Sequence, residues 1–473
     1  MKQQVQISAE ETARQKQALI HLTSKMKAYQ EDLGHRPVAC VVTFGCQMNA
    51  RDSEKLTGVL ESAGFVMTEN ELQADFVVYN TCTVRENADN RLYGRLGRLS
   101  NEKKKRPFMK IAVCGCMMQE ETAVEKLQNS YAYVDLIFGT FNIHRFAELL
   151  LAMFSSDRMI VDIWKEAGEV TEDLPVVRKY PFKSGVNIMY GCDNFCSYCI
   201  VPYVRGRERS RASGDILKEV NRLSEEGVKE VMLLGQNVNS YGKGLTDDIL
   251  FPELLRKVCR VDGIERVRFM TSHPKDLSDD LIDVMRTEEK CAGHIHLAMQ
   301  SGSNRILEMM NRHYTKEDFL RLVDKIKTAD PDISITTDII VGFPTETYED
   351  VLQTVDVINK AHFDNAFTFI YSRRSGTPAA KYPLEEDKTE IQKHFDEVLS
   401  AVQESATKQA GRFVGRKMRV LVEDVNAQDT SLLTGRLDSN SLVHFPGSSD
   451  LIGSFCDVIP DESHGFYYKG HKI

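Results

Sequence analysis

The chain has 473 residues, 42% hydrophobic and 27% charged, and at roughly 150 residues per domain that length predicts about three domains and excludes a lone small binding module. With 13 Pro and 29 Gly, the composition excludes a collagenous, low-complexity or disordered chain. A formal net charge of −9 argues against a protein coated with nucleic acid, because counterion release rewards clustered Lys and Arg, but it allows a local basic track.

Residues 1–36 read as an appended helix: Ser8 with Glu11 forms a capping box, and Leu19, Leu22 and Met26 recur at helical spacing before Gly34 and Pro37 end the pattern. A packing or tethering role is expected for it. The N-terminus has no apolar signal core, and Glu10, Glu11, Glu31 and Asp32 are wrong for a transit peptide. The longest apolar run, residues 149–154, is far short of the ~18–20 residues that cross a bilayer. A cytoplasmic protein that does not enter a membrane is therefore expected.

Over residues 37–154, the apolar runs 38–44, 75–80, 110–114 and 134–138 alternate with helix-like stretches, which predicts an N-terminal α/β domain with a parallel sheet covered on both faces. Ligands in such sheets sit beyond the strand C-termini, and here those ends carry Gly45-Cys46, Thr81-Cys82 and Cys114-Gly115-Cys116. Residues 155–179 are mixed and polar and read as a linker.

A second α/β series fills residues 180–410, with strand candidates at 186–190, 230–234, 266–270, 294–298, 334–340 and 366–371. Six such units predict a partial (βα) barrel with its reactive groups at the strand C-termini. Cys192, Gln236, Ser272 with His273, Gln300, Gly342 and Ser372 gather there. From 411 to 473 the helical period gives way to short alternating runs separated by Gly, Asn and Pro, which predicts a small all-β barrel or sandwich. The fold class is thus α/β, with a small all-β domain at the C-terminus.

The strongest chemical signal is Cys192-x3-Cys196-x2-Cys199, directly after a strand. Three thiolates on one loop can hold three irons of a 4Fe-4S cubane and leave the fourth open, whereas electron-transfer clusters take four Cys. An open iron can chelate the amino and carboxylate groups of S-adenosylmethionine. The competing readings are a zinc site, which requires four closed ligands, and plain core cysteines. With eleven Cys and no secretory signal, a disulfide framework is disfavoured. Cys40, Cys259, Cys291 and Cys456 read as small buried hydrophobes. The run Lys103-Lys104-Lys105-Arg106 reads as a solvated surface, and Arg205, Arg207, Arg209 and Arg211, close behind the cysteine motif, as a basic track.

Four segments together resemble the radical S-adenosylmethionine methylthiotransferases: Thr43-Phe44-Gly45-Cys46-Gln47-Met48-Asn49; Asn80-Thr81-Cys82-Thr83-Val84-Arg85-Glu86-Asn87-Ala88; Gly115-Cys116-Met117-Met118-Gln119; and Cys192 through Arg211. The resemblance spans residues 37–473. Gln47-Met48-Asn49 and Arg85-Glu86-Asn87-Ala88 are closest to the branch that modifies N6-isopentenyladenosine next to the tRNA anticodon.

That resemblance implies an auxiliary 4Fe-4S cluster on Cys46, Cys82 and Cys116 and a second 4Fe-4S cluster on Cys192, Cys196 and Cys199. Cys114 competes with Cys116 for the third auxiliary position; Cys116 occupies the family's Gly-Cys place, and Cys114 is read as a strand residue. Two S-adenosylmethionine molecules would be used, one as methyl donor and one as radical source, because the C2–H bond of adenine is too inert for a positioned base; the cofactors supply this chemistry and no catalytic side chain beyond the clusters is implied.

Tyr198, Gln236, Asn237, Ser272, Gln300, Ser301 and Asp338 lie where family members contact S-adenosylmethionine, while His273 and His296 read as structural. The C-terminal domain resembles a TRAM RNA-binding domain. Arg205, Arg207, Arg209 and Arg211 are expected to grip the anticodon loop, and Arg412, Arg416, Lys417, Arg419 and Arg436 its stem. The implied partners are a tRNA anticodon stem-loop, a reductant such as flavodoxin or ferredoxin, and sulfur or iron–sulfur delivery proteins, and the chain is expected to be a monomer. Two alternatives stand at this point: the same chemistry on N6-threonylcarbamoyladenosine, and a non-catalytic iron–sulfur or RNA-binding protein.

Overall fold

All four apolar runs of residues 37–154 form strands in the structure, a computed structural model that describes residues 3–4, 8–83, 86–166, 174–384 and 387–473. Val84 and Arg85 of the second motif, residues 1–2 and 5–7 of the N-terminus and residues 167–173 of the expected linker lie outside the described residues. The chain forms two compact units, Met1–Lys179 with Met189–Asp193 and Ile200–Ala212, and Tyr180–Ile188 with Asn194–Cys199 and Ser213–Ile473.

The first unit contains the strands β1 (Gln3–Gln4), β2 (Val38–Thr43), β3 (Val66–Met67), β4 (Phe76–Thr81), β5 (Lys110–Gly115), β6 (Leu136–Phe138) and β7 (Ile160–Asp162). Six of them form one sheet in the order β3-β2-β4-β5-β6-β7, parallel throughout. β7 falls within the stretch read as a linker. Three residues with a half-exposed pattern gave no apolar run to reveal it.

Alternate residues of the central strands enter different cores. Phe76, Val78, Ala112 and Cys114 face Leu22 and Met26 of helix α1 (Ala9–Leu33), while Val77, Tyr79, Ile111 and Val113 pack with Leu92, Leu96 and Leu99. Burial on both faces explains why these strands read as continuous apolar runs. The N-terminal helix is therefore part of a core. Ser8 caps it by accepting from the Glu11 N–H at 3.1 Å, Gly34 ends it in a left-handed conformation, and burying Leu22 and Met26 contributes about 1.5–3 kcal/mol each.

The second unit begins with β8 (Lys183–Asn187); β9 (Met189–Tyr190) and β10 (Arg209–Ser210) belong to the first, where β10 pairs with both β9 and β1. β11 (Glu230–Leu234), β12 (Arg266–Met270), β13 (His294–His296), β14 (Ser334–Val341) and β15 (Asn365–Ile370) complete the series. The parallel sheets β12-β11-β8 and β13-β14-β15 are linked by the parallel bridges Val267 to Cys291 and Ser272 to Leu297. Six parallel strands thus form the expected partial barrel. The first of the expected strands, 186–190, is divided, its second half contributing β9.

The last strands, β16 (Met418–Val425), β17 (Leu432–Leu437), β18 (Leu442–Pro446), β19 (Phe455–Ser463) and β20 (Tyr467–Lys472), close into a barrel in the order β16-β17-β18-β20-β19. It meets the partial barrel where the parallel strands begin. Arg266, the first residue of β12, donates to the Arg436 carbonyl at 3.0 Å, and Arg268 donates to the Asp438 carbonyl at 3.0 Å. Lys183, the first residue of β8, pairs with Glu423 at 2.7 Å. The C-terminal ends of β11, β12 and β14 lie at the opposite mouth.

Candidate active site

In the first unit three strand ends deliver thiols to one edge of the sheet. Cys46 caps the helix Gln47–Ala63, Cys82 follows β4, and Cys116 opens a 3-10 turn directly after β5. Two glycines permit the approach. At Gly45, φ +111°, a Cβ would lie 2.5 Å from the Cys82 Cβ; at Gly115, φ +97°, it would lie 2.3 Å from the Thr81 carbonyl oxygen.

Asn49, one turn into the helix after Cys46, is fully buried. Its Nδ2 donates to the carbonyls of Phe44 at 2.9 Å and Thr81 at 2.7 Å. The Oδ1 faces Cys46 Sγ at 3.9 Å and Cys116 Sγ at 3.8 Å, so one amide ties the thiol-bearing loops together. Arg205 completes the arrangement: its Nε donates to Cys116 Sγ at 3.3 Å, and its Nη2 to Asn49 Oδ1 at 2.7 Å and Asp52 Oδ2 at 3.2 Å.

Cys114 and Cys116 have separate environments. Cys114 lies opposite Asn80 in the sheet and points into the core beneath α1, where burial pushes its thiol well up. Cys116 lies past the strand, among Ile200 and Val204. Burial pushes its thiol up to about 12; Arg205 opposes that, and Cys82 and Cys46 add to it. Among the described residues no three His, Cys, Asp or Glu side chains are already disposed around a single metal ion. Three soft thiols with no carboxylate or imidazole among them, beside a buried cation, fit an iron–sulfur cluster.

Of the second cysteine motif, Cys192 belongs to the first unit and Cys196 and Cys199 to the second. On the first side, the Cys192 N–H donates to the Gly206 carbonyl at 3.2 Å. On the second, the Cys199 N–H donates to the Cys196 carbonyl at 2.9 Å and the Ser197 N–H to the Met310 carbonyl at 3.0 Å. Arg312, buried, donates to Cys196 Sγ at 3.3 Å and to the Ala298 carbonyl at 2.6 Å. Nothing in the sequence marked Arg312.

The residues expected to meet S-adenosylmethionine all lie in the second unit, in unlike settings. Asn237 is used internally, donating to Asp276 Oδ2 at 2.6 Å and accepting from the His273 N–H at 3.1 Å. Ser301 Oγ accepts from the Ser303 N–H at 3.2 Å. Tyr198 packs beside Phe343 and Met310. Gln236 follows β11 and is half-buried, and Gln300, with φ +72°, donates its N–H to the Asp338 carbonyl at 2.8 Å. Asp338 Oδ2 faces His296 Nε2 at 3.2 Å.

Ser272 Oγ, His273 Nε2 and both side-chain polar atoms of Asn239 are buried without a hydrogen-bond partner among the described residues, at the C-terminal ends of the neighbouring strands β11 and β12. Orphaned polar atoms at strand ends suit a polar cofactor. Burial pushes the His273 imidazole far down, helped by Arg312 and Lys275, so it is neutral.

The structure places the residues expected to contact RNA in unlike settings. Arg205, Arg209 and Arg211 are 7%, 7% and 3% exposed: Arg205 is held by Cys116, Asn49 and Asp52, and Arg209 lies in β10, between two other strands. Arg207 is exposed and pairs with Asp193 at 2.8 Å. The five basic residues of the small barrel are likewise engaged. Arg412 pairs with Asp364 and Arg436 with Glu423; Arg419 donates to the Glu265 carbonyl. Arg416 and Lys417 pair with Asp332 at 2.9 Å and Asp457 at 2.8 Å but keep substantial exposure.

Residues 39–139 match the family described as Uncharacterized protein family UPF0004, residues 186–358 the Radical SAM superfamily, and residues 411–473 the TRAM domain. The tRNA-2-methylthio-N6-dimethylallyladenosine synthase of Lachnoclostridium phytofermentans is 57% identical over 450 residues, 95% of this chain and 98% of that protein. The chain belongs to the family of tRNA-2-methylthio-N6-dimethylallyladenosine synthases. The synthase of Acetivibrio thermocellus is 49% identical over 454 residues, 96% of this chain and 95% of its own length. The chain is a radical S-adenosylmethionine enzyme of the MiaB type. Among solved structures, the radical S-adenosylmethionine methyltransferase TsrM of Kitasatospora setae aligns with a TM-score of 0.51 at 16% identity, over 73% of this chain and 77% of its own. That likeness is one of fold. No helix among the described residues is long and apolar enough to cross a membrane.

Proposed function

We propose that the protein converts N6-isopentenyladenosine next to the tRNA anticodon into its 2-methylthio derivative, with a 4Fe-4S cluster on Cys46, Cys82 and Cys116, a second on Cys192, Cys196 and Cys199, and two molecules of S-adenosylmethionine consumed. The observation that carries this reading is the 57% identity to a synthase of that name over 95% of the chain. When bound, the clusters and S-adenosylmethionine supply a carbon-centred radical for the inert C2–H bond, the inserted sulfur and the methyl group.

The chain's own residues bind, orient and exclude water. Asn49 and the two glycines fix the Cys46, Cys82 and Cys116 loops, and Arg312 anchors the loop around Cys196. Asn237 and Ser301 shape the turns that present Gln236, Ser272, Gln300 and Asp338 to S-adenosylmethionine, with Tyr198 beneath. The exposure of Arg207, Arg416 and Lys417 supports a role for each in contacting phosphates of an anticodon stem-loop; such contacts orient the RNA while an unstacked base enters the site. A flavodoxin or ferredoxin as reductant, delivery proteins for sulfur and iron, a cytoplasmic setting and a monomeric state complete the proposal.

The test is an anaerobic reaction of reconstituted protein with S-adenosylmethionine, reductant and an anticodon stem-loop carrying isopentenyladenosine, with nucleosides read by mass. A 2-methylthio product is expected. Deoxyadenosine formed without that product would contradict the assigned substrate.

A further inference from the structure

The RNA-gripping role expected of Arg205 is incompatible with its burial, and its contacts suggest another. Its guanidinium presents Nε to Cys116 Sγ at 3.3 Å and Nη2 to Asn49 Oδ1 at 2.7 Å. That is one edge of the planar fork meeting two acceptors, a geometry lysine cannot reproduce. Asn49 Oδ1 in turn faces Cys46 Sγ and Cys116 Sγ. Among the described residues, the carboxylate that Arg205 meets is that of Asp52, at 3.2 Å. Both side chains are less than a tenth exposed, so their interaction with the thiols is little screened by solvent.

The fold delivers this arginine deliberately. It is the last residue of the short helix Val201–Arg205, six positions after Cys199 in the sequence. Ile200 and Val204 of the same segment pack on Cys116, and the Val204 carbonyl accepts from Thr140 Oγ1 at 2.8 Å. The chain that leaves one cysteine motif thus ends on a thiol of the other.

We propose that Arg205 is a positioning residue for the iron–sulfur cluster of Cys46, Cys82 and Cys116: its Nε–H hydrogen bond orients the Cys116 sulfur and raises the cluster's reduction potential. This rests on the reading that those three thiols hold a cluster. A cationic donor to a ligating sulfur draws electron density from the metal and favours the reduced, more negative state. Asp52, the neighbouring anion, acts in the opposite direction.

The test uses the full chain with Cys192, Cys196 and Cys199 replaced by Ala, reconstituted anaerobically, so that any cluster lies on the three remaining thiols. Iron content, the thermal transition and the midpoint potential from an EPR-monitored redox titration are measured for this parent and for Arg205→Lys, Arg205→Met and Asp52→Asn added to it. Arg205→Lys keeps a charge but loses the fork and is expected to retain iron with a lowered potential. Arg205→Met is expected to lower it further, or to lose iron while keeping a cooperative thermal transition. Asp52→Asn is expected to raise it. A potential in Arg205→Lys equal to that of the parent, with iron retained, overturns the proposal while leaving the cluster reading intact. A parent that takes up no iron overturns the cluster reading, and the role of Arg205 falls with it.

Discussion

Arg312 Nη1 lies 3.3 Å from the Sγ of Cys196. The same guanidinium donates to the Ala298 carbonyl at 2.6 Å and to Tyr314 Oη at 3.1 Å, so it fixes the cysteine loop to the turn after β13. Arg312→Met removes the donor to Cys196 Sγ and Tyr314 Oη, while the Ala298 carbonyl keeps the Tyr314 hydroxyl at 3.3 Å, at about 1–3 kcal/mol for each group left unsatisfied. We expect a lowered thermal midpoint and at least about a tenfold loss of deoxyadenosine formation, equivalent to about 1.4 kcal/mol in the barrier. Arg312→Lys should recover only part of the rate, because one ammonium cannot serve the diverging acceptors.

Cys114 and Cys116 differ in the sheet face they serve, and their substitution should separate stability from metal content. Cys114→Ala removes a buried sulfur from the core beneath α1 and is expected to cost about 1–2 kcal/mol with full iron content after reconstitution. Cys116→Ala leaves the buried Arg205 Nε without its sulfur acceptor and should also lower the thermal midpoint of the apo chain, but, unlike Cys114→Ala, it should lose the iron of one cluster. Iron analysis beside a denaturant titration checks both.

Glu230 is buried between Arg266 at 2.6 Å and Arg268 at 3.0 Å. Burial alone would push its carboxyl up, yet Arg268 and Arg266 hold it down to about 2. The folded value lies below the unfolded one, so this group's contribution to stability is present above about pH 4.5 and is lost as pH falls toward 2. Glu230→Gln leaves the buried Arg268 without a carboxylate partner, while Arg266 keeps Asp438 at 2.6 Å, and is expected to cost about 3–5 kcal/mol at neutral pH, with the difference from the parent narrowing as the medium is acidified. Denaturant titrations at stepped pH read this directly; a difference that widens on acidification would contradict it.

The architecture was largely legible in the sequence because both α/β series alternate apolar strands with helices, and strand ends are where thiols and polar groups recur. That rule brought Cys46, Cys82 and the pair Cys114 and Cys116 to one sheet edge, and the family resemblance chose Cys116. What escaped was fixed by partners distant in the sequence. Arg205, Arg209 and Arg211 read as a surface track because a charged run gives no sign that the chain folds back over Asn49, Asp52 and Cys116. Arg412 and Arg436 read as an RNA contact because their acids, Asp364 and Glu423, stand in other elements. Arg312, isolated between Asn311 and His313, carried no signal at all.

These pairings divide the basic residues of the small barrel into two kinds. Arg412, largely covered, bonds Ser334 Oγ at 3.0 Å and Asp364, so Arg412→Glu should lower the thermal midpoint. Lys417, 63% exposed at its side chain, should act through RNA. Lys417→Glu is expected to weaken binding of an anticodon stem-loop and to reduce the slope of log affinity against log salt by about one, with the thermal midpoint unchanged. Fluorescence anisotropy across a salt series distinguishes the two effects.

The most direct test of the account is the anaerobic reaction on an anticodon stem-loop carrying isopentenyladenosine, run with the parent and with Cys82→Ala. The account predicts a 2-methylthio nucleoside and deoxyadenosine from the parent, and deoxyadenosine alone from Cys82→Ala, because the radical-forming motif at Cys192, Cys196 and Cys199 is untouched. A 2-methylthio product that persists in Cys82→Ala would contradict it.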